Sequence, residues 1–297
     1  MKVAGIIAAM VTPFTAEGKI NEAATRQLVN HLVDHQINGL FILGTNGEFH
    51  VLSKEEKLAF AQLVVEEAAG RVPVYAGSGG NATEEVVELT NAFARVGVDA
   101  VSVISPYFIP LTEQELFEHY QTVASQAEIP IILYNIPKNT GNPLSSQLVA
   151  RLAKLPNIIG IKDSSGDIAL IKEHIENNKA EDFVVLSGSD SLILNALKLG
   201  AAGAVAATSN VLSKTDVAIY THFKNGDLAK AQAAQDSIEE FRRILKFGTV
   251  PSVLKYSLSF MGIDAGTPRK PTLPVTDPEK LQEINTVLTE NYAAEKI

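Results

Sequence analysis

Short apolar runs rich in β-branched residues recur along this chain of 297 residues. They are GIIAAMVTPF (5–14), GLFILG (39–44), PVYAGSG (73–79), AVSVISP (100–106), PIILYN (130–135), IIGIKD (158–163), FVVLSGS (183–189) and GAVAATSN (203–210). Each is close to continuously apolar, the pattern of parallel strands covered on both faces. Between them lie segments with apolar positions near helical spacing, at 21–36, 53–70, 81–97, 111–126, 145–155, 167–178 and 189–200. The second opens on Ser53 with Glu56 three residues on, a capping-box pattern. Several stop at glycine, as helices commonly do. Eight strand–helix repeats over about 210 residues predict a (β/α)8 TIM barrel. An open doubly wound sheet is disfavoured, because TPFTAEGK follows the first strand where a phosphate-binding glycine loop would stand. Further helical segments follow at 214–227, 228–247, 250–262 and 277–297. The first closes the barrel, giving a catalytic domain over 1–225, and the rest form a C-terminal helical extension over 226–297. The Pro-rich stretch GIDAGTPRKPTLPVTDP predicts an extended loop.

Charge and composition narrow the partners. A formal net charge of −9 argues against nucleic acid or an anionic membrane surface as the main partner. No apolar run approaches the roughly 18 residues of a spanning helix, and the first residues carry no signal-peptide pattern. The absence of cysteine removes disulfides, thiolate metal sites and a cysteine nucleophile, and it fits a reducing cytoplasm. The histidines show no metal-ligand spacing, so no metal or other cofactor is assigned. His31, His35, His119, His174 and His222 fall within helical patterns and read as solvated; His50 alone lies near a strand end.

A barrel of this kind places its chemistry at the C-terminal ends of the strands. Lys162 is the only lysine at any of the eight ends. An amine held among apolar walls loses hydration, which favours the neutral form that can attack a carbonyl and make a Schiff base. Such chemistry needs a proton shuttle, and Tyr134 ends the preceding strand. A substrate carboxylate needs donors, and the turn GTNGEF offers backbone N–H groups with the Thr45 hydroxyl and the Asn46 amide. Each feature has a plainer reading. A strand-end lysine can snorkel to water, a strand-end tyrosine can be core with its hydroxyl at the rim, and GTNGEF can be only a tight turn. Ser164 and Ser165 can bind substrate hydroxyls or simply form a turn.

Four stretches, GTNGE (44–48), YNIPKNTG (134–141), GIKDSSGD (160–167) and SGSD (187–190), are similar in order and placement to the motifs of one superfamily. The chain resembles the dihydrodipicolinate synthase / N-acetylneuraminate lyase superfamily of pyruvate-dependent class I aldolases, over essentially its whole length. The resemblance implies a homotetramer built as a dimer of dimers, with pyruvate and an aldehyde or keto-deoxy acid as substrates. It puts the Schiff-base lysine at Lys162 and the relay tyrosine at Tyr134. Thr45 and Asn46 would hold the pyruvoyl carboxylate, and the main chain of Val205 would line the pocket.

Three departures separate the chain from the synthases of that superfamily. Phe108 stands where their second relay tyrosine crosses to a partner subunit, so a relay would have to run through another group such as Tyr107. Asn139 replaces the arginine that grips the carboxylate of aspartate semialdehyde, and an amide cannot replace a charged bidentate fork. The turn reads TN rather than TT. These departures, with KDSSGD, lead to a first expectation: cleavage or formation of a 2-keto-3-deoxy or 4-hydroxy-2-oxo acid. The second is dihydrodipicolinate synthase with a substituted relay, and the third is a silent barrel that only binds a keto acid. Two positions where some synthases place histidine in a lysine-feedback site are Lys54 and Lys57, beside Asn81, Glu85 and Tyr107. Two ammonium groups there would repel bound lysine, so feedback inhibition by lysine is not expected.

Overall fold

The computed structural model describes residues 3–179 and 182–296. Eight parallel strands close a barrel in sequence order: β1 (Gly5–Ala9), β2 (Gly39–Ile42), β3 (Val74–Gly77), β4 (Ala100–Ile104), β5 (Ile131–Asn135), β6 (Ile158–Asp163), β7 (Val184–Ser187) and β8 (Gly203–Ala206). β1 pairs with both β2 and β8, with Ile7 opposite Val205. Inward–outward alternation splits the core in two. Ile7, Ala9, Phe41, Tyr75, Ala100, Ile132, Leu186 and Val205 fill the barrel interior. Ile6, Ala8, Leu40, Ile42, Val101, Val103, Leu133 and Ile161 face the surrounding helices. Both faces of every strand are thus dry, which accounts for the near-continuous apolar runs.

β6 breaks the alternation at one place. Ile131 pairs with Ile158, but Ile132 pairs with Gly160, so Ile159 is an extra residue on β6. One inserted residue exchanges the two faces for everything that follows. Ile161 therefore joins the outer core and Lys162 turns into the barrel, level with Tyr134. Unbroken alternation would have sent the lysine outward.

The helices follow the sequence pattern with shorter ends. Ser53 and Glu56 form the expected capping box at the start of the helix Lys54–Ala68. The run expected as one helix over 228–247 is instead two, Leu228–Ser237 and Glu239–Ile244, followed by a 3-10 turn Leu245–Phe247. The Tyr292 hydroxyl sits in the helical ladder. It accepts from the Phe241 N–H at 3.1 Å and donates to the Ser237 carbonyl at 2.5 Å, the two groups that would otherwise pair. A side chain inserted in this way bends a helix. The last helix, Pro278–Asn291, is shorter than expected, and Ile297 lies outside the described residues. His119 and His174 are buried rather than solvated, since both lie on the inward faces of their helices.

Asp216 is fully buried under β8, where its Oδ2 accepts from the Thr208 and Ser209 hydroxyls at 2.7 Å each. Burial, and then repulsion from Asp190, push its carboxyl up to about 8, from an ordinary value near 4. The folded chain then holds a proton that the unfolded chain has lost, so stability from this group falls as pH rises from about 4 to 8. His31 and His119, both lowered to about 4 chiefly by burial, act in the opposite sense between about 4 and 6.5. Thermal midpoints of Asp216→Asn and the parent, measured across this range, separate the two effects. The parent should lose stability relative to the variant as pH rises; parallel curves would contradict the assignment.

Candidate active site

The strand ends open into a cavity of about 770 Å³. Its floor is Lys162, 5 % exposed, with Ala9, Phe41, Tyr134 and Val205 around it. The Lys162 Nζ lies 4.1 Å from the centroid of the Tyr134 ring and 4.5 Å from that of Phe41. The Tyr134 hydroxyl is 3.2 Å from Thr45 Oγ1, and either oxygen can donate. Thr45 and Asn46 sit on the turn after β2, which folds back on its strand: a side chain at Gly47 would meet the Leu43 backbone at 2.9 Å. Across the floor, a side chain at Gly188 would fall 2.0 Å from Ser164 Oγ and 3.1 Å from Lys162 Cε. Glycine is therefore required for both groups to occupy the cavity.

Behind the floor the ends of β5 and β6 are fastened together. Tyr134 and Lys162 are register partners facing in, and their neighbours Asn135 and Asp163 face out. Asn135 Nδ2 donates to Asp163 Oδ2 at 2.6 Å, with His174 Nε2 3.3 Å from the same oxygen. Burial alone would raise the Asp163 carboxyl. Hydrogen bonds from His174, Ser165 and Asn135 outweigh it and hold the group below the usual carboxylate range.

The structure thus brings together Lys162, Tyr134, Thr45, Asn46, Val205 and Ser164, with Asn139 and His50 at the mouth. It does not bring Tyr107 into the cavity. That side chain meets Phe49 edge to face at 6.4 Å, and its N–H is held by Asn81 Oδ1 at 2.8 Å. Phe108 next to it is 87 % exposed with a left-handed φ of 83°. The sequence reading missed Phe41, whose ring faces the amine, and a whole wall of the cavity. That wall is Arg242, Leu245, Lys246 and Gly248–Pro251 from the C-terminal extension, which a rule about strand ends does not reach. Among the described residues no group of three or more His, Asp or Glu side chains could hold a metal ion. No helix among them is long and apolar enough to cross a membrane.

A profile of the dihydrodipicolinate synthetase family matches residues 2–291. This chain belongs to that family. It is an enzyme, a pyruvate-dependent class I lyase, which sets aside the silent-barrel expectation. A 4-hydroxy-tetrahydrodipicolinate synthase of Hyphomonas neptunium is 39% identical, with 94% of each chain covered. 4-Hydroxy-tetrahydrodipicolinate synthase 1 of Halalkalibacterium halodurans is 36% identical over 95% of each. Among solved structures, the E. coli K12 prophage protein YagE of the same family, in complex with pyruvate, superposes with a TM-score of 0.94. It is 32% identical, with 98% of this chain and 99% of that one covered. The relatives' names side with the synthase expectation over the sugar-acid one.

The candidate positions for a lysine-feedback site, Lys54, Lys57, Asn81, Glu85 and Tyr107, do not line the cavity. Lys54 Nζ pairs with Glu88 at 2.8 Å, and the half-buried Lys57 lies over the Phe49 ring at 5.7 Å. Burial lowers the Lys57 ammonium, opposed by Glu85. Lysine in the sub-millimolar range is expected to leave the initial rate unchanged; a saturable inhibition curve there would overturn this.

Proposed function

We propose that the enzyme condenses pyruvate with a small acidic aldehyde through a Schiff base on Lys162. The observation that carries this reading is the triad of Lys162, Tyr134 and Thr45 on the cavity floor. The Lys162 Nζ attacks C2 of pyruvate, and Tyr134 passes a proton to the carbinolamine oxygen, which leaves as water. The turn of Thr45 and Asn46 holds the pyruvoyl carboxylate. Loss of a proton from C3 gives an enamine, whose C3 forms the new bond to the aldehyde carbon as the C=O π bond opens and its oxygen takes up a proton, giving a hydroxyl and restoring the iminium. Water then releases the product and regenerates the amine. Run backwards, the same steps cleave an aldol and free pyruvate.

The synthase expectation takes aspartate semialdehyde as the acceptor, and it is supported by relatives that are 4-hydroxy-tetrahydrodipicolinate synthases. A second reading, cleavage of a 2-keto-3-deoxy or 4-hydroxy-2-oxo acid, is favoured by Asn139, which stands at the cavity mouth without a charge. One comparison decides between them: purified enzyme with pyruvate and aspartate semialdehyde, against pyruvate release from a panel of keto-deoxy acids. Efficient condensation supports the first reading. Much faster retro-aldol release replaces it with the second.

A further inference from the structure

The cavity is larger than pyruvate needs; about 770 Å³ lies within the roughly 300–1,000 Å³ of pockets that enclose far bigger ligands. Its inner part is apolar around Lys162, and its outer wall is basic. That wall is built by the bent segment after Ile238, where Arg242, Leu245 and Lys246 follow at i, i+3 and i+4 and so share one face. Arg243, one position on, points elsewhere and is spent on Glu240 and Glu283. Arg242 is only partly engaged, by an ion pair with Glu239. Its Nη1 meets both oxygens of Glu239 at 2.8 and 2.6 Å, while Nε and Nη2 have no hydrogen-bond partner among the described residues. The exposed Lys246 has no ion pair among the described residues. The acidic side chain on the same cavity, Asp190, accepts from the Ala207 and Thr208 N–H groups at 3.0 and 3.2 Å and feels the Arg242 charge without a hydrogen bond to it.

Two cations with free donors therefore face the space in which the far end of an acceptor must sit. We infer that Arg242 and Lys246 form a subsite for an anionic group, a carboxylate or a phosphate, on the acceptor end remote from its carbonyl. This rests on the Schiff-base reading above and specifies its second substrate. It also supplies the charge that Asn139 does not. Guanidinium donors suit either anion, since both present paired oxygens.

Two pairs of aldehydes test the subsite and separate the two anions: succinate semialdehyde against butanal, and glyceraldehyde 3-phosphate against glyceraldehyde. Each is given with pyruvate to the parent, to Arg242→Gln, Arg242→Lys and Lys246→Met. Borohydride trapping of pyruvate on Lys162 checks that each variant is folded. In the parent, the charged member of at least one pair should be the better acceptor, and the pair concerned names the anion. Arg242→Gln and Lys246→Met should each lower kcat/KM for that acceptor by about 10- to 100-fold, the effect of a lost charged hydrogen bond, mainly through KM. Arg242→Lys should recover part of it, and the uncharged partner should change little. A parent that traps pyruvate but shows no preference for charge within either pair overturns the subsite alone, as do variants that lose both members of a pair equally. A parent that traps no pyruvate overturns the Schiff-base reading and the subsite with it.

Discussion

Lys162→Ala should take up no pyruvate at all: borohydride reduction with pyruvate present adds one adduct to the parent and none to the variant. The covalent route is then closed, and turnover should fall by at least about 10⁴-fold, more than ~5 kcal/mol of lost transition-state stabilisation. Tyr134→Phe gives a different signature. It removes the hydroxyl that faces Thr45 at 3.2 Å but leaves the ring beside the amine. Proton transfer by a positioned side chain contributes about 10²- to 10⁴-fold, so this variant should still form the adduct, slowly. An adduct at full rate in Tyr134→Phe, or any adduct in Lys162→Ala, would remove the roles proposed for them.

The lysine was legible in the sequence and its direction was not. IIGIKD announces a buried strand, and Lys162 stands out because no other strand end carries an ammonium. Which face it takes depends on a single extra residue, Ile159, and a bulge leaves no mark in a run that is apolar on both sides. The same limit explains the other surprises. Residues 228–247 read as one helix because nothing in that segment breaks it; the break comes from Tyr292, more than 50 residues away. His119 and His174 read as solvated because they fall within amphipathic helical patterns that do not by themselves fix which face is inward, yet each falls on the inward face. Barrel topology was recoverable because it repeats locally, strand by strand. The basic wall of the cavity was not, because it depends on how the C-terminal segment folds back over the barrel.

That folding back depends on a charge pair, and breaking the pair should be the most damaging change to stability. Glu48 ends the turn that presents Thr45 and Asn46, with φ at 55°. Its Oε1 lies 2.6 Å from the Lys255 Nζ, on the helix Val250–Met261, and both side chains are essentially out of water. Its Oε2 accepts from the Arg269 N–H at 2.8 Å, and both Lys255 and Arg269 lie over the Phe14 ring. Removing one partner strands the other charge without solvent, which costs about 3–5 kcal/mol. Glu48→Gln and Lys255→Met should each lower the thermal midpoint by many degrees, and the double variant should lose less than the two losses added. Because the turn is fixed at Glu48, Glu48→Gln should also raise KM for pyruvate. The pH dependence has a definite sign. Burial lowers the Lys255 ammonium to about 8 against the opposing pull of Glu48. From there up to the ordinary lysine value near 10.5, the unfolded chain binds the proton that the folded chain has released, so stability from this group rises with pH. Lys255→Met should lack that rise; a variant that follows the parent through this window would show that the buried amine does not titrate there.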